Sequence, residues 1–281
     1  MKIGKILLLI CICFAFACSK KSESQNSSTS KSQVESGKFE KNLPSDFEKP
    51  SDEIGKRILK DYGSVFVAKG NAIPPKSVIF KDEAAVSAFQ SSLKTSSEKI
   101  GSIDVELQTP AMNALKEAIA EAKQTNLTIT PRSKDSSKRT YGETVELWAS
   151  RVNPGLEHWV KKGKLPQAEA DKIKNLSPFE QVSEIFKLED QGMFFAKDLS
   201  KSIVYSVSPP GSSQHLSLLA LDINEHENKK VCDILAKHGW FQTIISDLPH
   251  FTYLGVKQEE LPNLGLKKDE STDRVYWLPA L

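Results

Sequence analysis

A carboxylate stands inside a strand-like apolar run, Leu219-Ala220-Leu221-Asp222-Ile223. A charged oxygen in such a place is costly unless it is paired, hydrogen-bonded or bound to a metal. Few arrangements satisfy that condition, so Asp222 constrains the fold more than any bulk property of the chain. His215 precedes it, in Ser213-Gln214-His215. Downstream, Asp247-Leu248-Pro249-His250 joins two strand-like segments and sets a second carboxylate three positions before another His. Two His and one Asp suffice for a catalytic zinc, which takes three protein ligands and keeps its fourth position for water. Asp247 is then left as a group to take a proton from that water.

Each of these residues also has a structural reading. His215 fits a turn, Asp222 fits a strand-end carboxylate bonded to backbone N–H groups, and Asp247 fits a turn cap. His250 after Pro249 fits an ordinary loop, and Arg132 fits a surface ion pair. His226, four residues after Asp222, competes for the third ligand position. His238 stands near a helix C-terminus, where a cation is favoured. His158 reads as a helix-surface residue, and Trp148, Trp159 and Trp240 read as core.

Composition narrows the class. The 281 residues include 38 Lys+Arg and 36 Asp+Glu, with 26% charged and 39% hydrophobic residues. These are values of an ordinary globular protein. Loss of Lys2 and Lys5 with the N-terminal segment would leave the charges balanced, so no surplus marks a nucleic-acid binder.

Met1, Lys2 and Lys5 open the chain, and Ile6 to Ala17 is almost wholly apolar. Twelve helical residues span about 18 Å, short of a hydrocarbon core of roughly 30 Å. Residues 1–17 therefore read as an export signal. Its end, Ala15-Phe16-Ala17-Cys18, resembles the lipobox of bacterial lipoproteins, which implies a lipidated Cys18 and a membrane anchor. Cleavage after Ala17 with a free Cys18 is the alternative. Cys11 and Cys13 lie in the apolar segment, so Cys232 is the one thiol left in the folded part and no internal disulfide forms. Residues 18–50, rich in Ser, Lys and Glu, read as a flexible tether. Residues 51–281 read as one domain.

Within that domain the patterns alternate. Helices are expected over 51–61, 111–123, 178–188 and 231–238, the last capped by Gly239. A further helix around Tyr141, Val145, Trp148 and Val152 is expected to break at Pro154, with more helix at 156–162. Strands are expected at 65–67, 78–80, 127–130, 203–207, 219–223, 240–245 and 251–254. The class is α+β.

Ser213-x-His215 followed by Ala220-x-Asp222 resembles the SxHxxGxAxD motif of VanY-type zinc D-alanyl-D-alanine carboxypeptidases. Asp247-Leu248-Pro249-His250-Phe251-Thr252-Tyr253-Leu254-Gly255 is similar to that family's ExWHxRYxG motif. Arg132 stands where the family has its upstream substrate-binding Arg, and the parts come in the family's order. The resemblance covers about residues 125–256; an N-terminal helical extension over 51–124 and the stretch 257–281 lie outside it. It implies a compact zinc D,D-peptidase/hedgehog-like fold with a central antiparallel sheet and flanking helices. It also implies one catalytic Zn2+ on His215, Asp222 and His250, with Asp247 as general base. Arg132 would stabilise the developing negative charge, and Ser213 would sit by the substrate or the metal shell. The substrate implied is the D-amino-acid-containing stem peptide of peptidoglycan, and the alternative is a non-hydrolytic wall-peptide binder. The place implied is the envelope, facing the periplasm, with Ser19 after Cys18 favouring the outer membrane over the inner.

The chain departs from the family pattern at several positions. Leu218 replaces the Gly of the first motif, Thr252 the Arg of the second, and Asp247 the catalytic Glu. The last change shortens the base by one methylene, about 1.5 Å. Other enzyme patterns are missing. His226-Glu227 is not followed by the second His of a zincin helix, and Ser91-x-x-Lys94 and Ser96-x-x-Lys99 lack SDN and KTG partners.

Overall fold

The computed structural model describes residues 37–245, 247–271 and 274–281. The signal segment, Cys18 and most of the expected tether lie outside them. The described part of that expected tether, residues 37–50, packs on the domain. Residues 37–42 are helical, Phe39 is fully buried and Leu43 nearly so. Two large apolar side chains in an otherwise polar stretch are enough to dock it on the core.

Helix α1 (Glu53–Tyr62) starts on an Asp52 cap that accepts from the Gly55 N–H at 2.8 Å. It buries Ile58, Leu59 and Tyr62. The expected strand 65–67 is instead a 3-10 turn, Gly63–Val67, continuing straight from α1. Its β-branched residues favour a strand locally, but all five residues of the turn are buried. Residues 78–80 form no strand either. The chain passes Ser77, bridged to Glu48, and enters α2 (Glu83–Ser91). A hairpin follows, β1 (Thr95–Ile100) with β2 (Ile103–Gln108), so the 51–124 region is not wholly helical. Helix α3 (Thr109–Gln124) turns Ala111, Met112, Leu115, Ala118 and Ala122 inward, the three-and-four spacing of a buried stripe.

Residues 127–130 form no strand; the Thr130 carbonyl accepts from the Asn224 N–H at 3.0 Å, and Pro131 makes a single bridge to Ile223. Helix α4 (Tyr141–Lys161) opens on a capping box between Thr140 and Glu143. It runs through Pro154 without ending. Trp148, Val152 and Leu156 are buried on both sides of that residue, and their packing holds the helix where its missing N–H would break it. Helices α5 (Gln167–Lys174) and α6 (Pro178–Asp190) complete this layer. The expected strand 203–207 is a 3-10 turn, Ile203–Tyr205.

The remainder holds the central sheet. Strands β3 (Ala220–Asp222), β4 (Trp240–Phe241) and β5 (His250–Tyr253) form an antiparallel sheet in the order β3-β5-β4. Helix α7 (Lys229–Lys237) packs against α3. A second hairpin, β6 (Leu266–Asp269) with β7 (Tyr276–Pro279), closes the chain. The class is α+β, with antiparallel sheet flanked by helices.

Candidate functional site

Strand register brings two of the candidate ligands together. Asp222 and His250 are directly opposite partners of β3 and β5, so their side chains leave the sheet on one face. Leu221 and Phe251, one position away, turn to the core. His215 comes from the 3-10 turn Gln214–Ser217 just before β3. Leu218 ends that turn in the left-handed conformation, φ 57°, and swings the chain into the strand. His215, Asp222 and His250 offer three ligand atoms within 4.8 Å of one another.

The three groups are nearly dry. His215 and His250 are each 1% exposed. The Asp222 Oδ1 oxygen lies 3.1 Å from His250 Nδ1 and 3.3 Å from His215 Nε2. The rings of the two histidines meet edge to face, with centroids 4.8 Å apart. Burial drives the His215 pKa down to about 4, with the nearby Arg139 charge adding to the effect. Burial opposes ionisation of Asp222 as well, but the two histidines hold its carboxyl well below the usual range. Arg139 Nη2 stands 3.3 Å from Asp222 Oδ2.

The orientation of the His250 ring follows from one amide. Gln214 Nε2 donates to the Tyr62 carbonyl at 2.9 Å, and a carbonyl can only accept. The Gln214 oxygen is thereby turned toward His250 Nε2, 3.0 Å away, and toward the Thr252 hydroxyl. His250 must then donate from Nε2, and the neutral ring carries its lone pair on Nδ1. That lone pair faces a carboxylate oxygen at 3.1 Å. Two electron-rich atoms so close require a cation between them. His215 adds two buried ring nitrogens without a hydrogen bond, and its Nε2 lies 3.3 Å from the same Asp222 oxygen. A divalent cation answers all three, and two imidazole nitrogens with one carboxylate are donors that zinc accepts. The residues present fit the metal.

A cavity of about 270 Å³ opens on this group. Its lining includes Ser213, Asp247, Arg132, Arg139 and Arg151. The Asp247 carbonyl accepts from the His250 N–H at 3.2 Å, a turn that holds the two residues at their three-residue offset. Burial raises its pKa, against the lowering influence of His250, Arg139 and Arg132. The Arg132 backbone N–H donates to the Asp222 carbonyl at 3.0 Å, while its side chain lies at the exposed rim. Ser213 is buried and immediately precedes the 3-10 turn.

The chain shows a low similarity to two solved structures. One is a mutant of the vancomycin-resistance D,D-pentapeptidase VanY from a VanB-type cassette, in complex with Zn(II). It is 13% identical, with a TM-score of 0.35, over 59% of this chain and 82% of that one. The other is the LD-carboxypeptidase LdcB, described for its recognition of peptidoglycan. It is 17% identical, with a TM-score of 0.33, over 69% of this chain and 75% of that one. No family model matches the chain, and no curated protein matches it either.

The other histidines lie apart from the group. His226, the competing ligand, places Nδ1 3.0 Å from the Ile223 carbonyl. His238 closes the end of α7 between Glu117 and Glu121, at 3.4 and 2.9 Å. His158 stacks edge-on against Trp159. Sequence reasoning passed over Arg139, Arg151 and Gln214. Arg139 stood immediately before the Thr140-x-x-Glu143 capping box, and Gln214 stood between two motif residues. Neither position identified a partner, because the partners, Asp222 and Tyr62, are distant in sequence.

Proposed function

We propose that this chain is a zinc-dependent carboxypeptidase acting on the D-amino-acid-containing stem peptide of peptidoglycan. It would be held in the bacterial envelope as a lipoprotein through Cys18. One observation carries the reading: His215, Asp222 and His250 converge in one buried group, in which both His215 ring nitrogens have no hydrogen bond. The motif resemblance supplies the substrate class. A zinc ion held by these three residues would supply electrophilic polarisation and make water a nucleophile near neutral pH.

The chain's own residues do the rest. Asp247, lining the cavity with a raised pKa, accepts the proton of the attacking water and returns it to the departing amine. Arg132, or the less exposed Arg139 beside it, donates to the scissile carbonyl oxygen as negative charge develops there. Ser213 contacts the substrate from the turn that carries His215. Lipidation would place the cavity on the periplasmic side, at the outer membrane in preference to the inner. No helix of the described residues is long and apolar enough to cross a membrane.

The shorter Asp in place of Glu favours one second reading, a lipoprotein that binds wall peptide without cutting it. Mass spectrometry of D-alanine release from an N-acylated Lys–D-Ala–D-Ala peptide separates the two. Hydrolysis predicts release by the zinc-loaded protein, a fall of about 10²–10⁴-fold in Asp247→Asn, and turnover in Asp247→Glu. Peptide binding with no release by the wild type or by Asp247→Glu contradicts hydrolysis and leaves the binder.

A further inference from the structure

Helix α4 carries Arg151 into the same cavity as the His–Asp–His group. Its Nε donates to Ser206 Oγ at 2.8 Å and its Nη1 to Ser150 Oγ at 2.9 Å. Both acceptors are neutral. Among the described residues no carboxylate pairs with this guanidinium, and its Nη2 has no hydrogen-bond partner. An Arg with no counter-charge, facing a partly buried cavity, calls for an anion from outside.

The rest of the wall sharpens the demand. Three arginines and two aspartates line it, and one of the aspartates, Asp222, is already shared between Arg139 and both histidines. Arg132 likewise makes no side-chain hydrogen bond or ion pair among the described residues, although its charge acts on Asp247. A cavity so lined is electropositive before any metal is added, and low-dielectric walls concentrate that potential.

Arg151 is also held in place. Ser206, its acceptor, directly follows the 3-10 turn Ile203–Tyr205. The Ile203 N–H donates to the buried Glu189 carboxylate at 2.6 Å, and the Tyr62 hydroxyl donates to the Val204 carbonyl at 2.6 Å. Ser202 bonds the same Glu189 and accepts from Arg57 Nη2 at 2.6 Å. The wall opposite α4 is therefore tied to α1 and α6, and it fixes the plane of the guanidinium. A fork held by neutral oxygens, with one edge unused, is pre-organised for a carboxylate.

We propose that Arg151 is the receptor for the free C-terminal carboxylate of the peptide, so that the site acts only on the last residue of a chain. The proposal rests on the peptidase reading and specifies its mode. A peptide presents one anion next to its final amide bond, and that anion is the terminal carboxylate. The cavity, about 270 Å³, lies below the range of sites for drug-sized ligands and suits one small terminal residue.

The test compares N-acylated Lys–D-Ala–D-Ala with its C-terminal amide, using zinc-loaded protein throughout. Calorimetric binding and cleavage are both followed in the wild type, Arg151→Ala and Arg151→Lys, with zinc content measured in each. The wild type is expected to prefer the acid. Arg151→Ala is expected to lose roughly 10- to 100-fold on the acid, the value of one charge-assisted pair, and to leave the amide unchanged. Arg151→Lys is expected to recover part of the preference. Equal affinity of the wild type for acid and amide, or no binding of either, overturns the proposal. An unchanged acid-to-amide ratio in a zinc-replete Arg151→Ala also overturns it. Intact acid preference without any cleavage leaves the carboxylate receptor standing and removes the hydrolytic reading instead.

Discussion

His215 shows how much one buried side chain can fix. Its ring is 1% exposed, and its two nitrogens have no hydrogen-bond partner. Burial keeps the folded group neutral down to about pH 4, whereas an unfolded His titrates near 6.5. A depressed folded pKa means that the unfolded chain binds the extra proton first. Stability of the metal-free protein is therefore complete above pH 6.5 and falls as pH drops toward 4. In chelator, the urea midpoint should drop between pH 7.5 and 4.5 by the equivalent of about 2–3 kcal/mol. A His215→Gln variant should lose that part of the pH dependence; an identical profile contradicts the assignment. Gln214 acts on the neighbouring candidate ligand, orienting the His250 ring between the Tyr62 carbonyl and Nε2. Removing such an outer partner typically costs 10- to 100-fold in metal affinity, and Gln214→Ala should show about that loss in a zinc competition titration. Unaltered affinity would mean that the amide does not set the ring.

At the scale of elements, the turn into β3 departs from the motif that its sequence resembles. Leu218 occupies the glycine position and adopts φ 57°, a conformation that costs an L-residue about 1–2 kcal/mol. Its side chain is fully buried, so the bulk is accommodated by packing while the backbone remains strained. Glycine is normally less stable than alanine by roughly 0.5–1 kcal/mol inside regular structure. Here the order should reverse, with Leu218→Gly more stable than Leu218→Ala by about 1 kcal/mol in urea unfolding. The usual order would show that the turn carries no strain. Elements with a strong period were legible in the sequence: α3 from its apolar stripe, α7 from its stripe and Gly239, and β3 and β5 from their apolar runs. The β1–β2 hairpin was not, because Thr95-Ser96-Ser97-Glu98-Lys99-Ile100 is mostly polar and only alternates between exposed and half-buried. The segments 65–67 and 203–207 misled for the opposite reason. Their β-branched residues favour strands, but the core takes them as tight turns. The candidate ligands were legible because each lay in a short motif, whereas Arg139 and Gln214 work through partners that only the fold brings close.

At the scale of the whole molecule, the region outside the family resemblance supports the site. Gln108, at the end of β2, donates to the Ser217 carbonyl at 2.8 Å, and its backbone N–H donates to the Leu218 carbonyl at 3.0 Å. Gly211 adopts φ 77°, and a Cβ there would stand 2.0 Å from the Phe80 carbonyl oxygen, so the loop before His215 lies tightly against this region. Tyr62 completes the support through Gln214. A chain beginning at residue 37 should therefore bind zinc as the full chain does, and one beginning at residue 125 should not. Equal zinc binding by both would show that the N-terminal region is dispensable to the centre. All of these expectations depend on the metal itself. Its most direct test is elemental analysis of protein purified without chelator, with Cys18 replaced to keep it soluble. The account predicts about one zinc per chain, lost in His215→Ala and in His250→Ala. Protein that takes up no zinc even when zinc is supplied would contradict it.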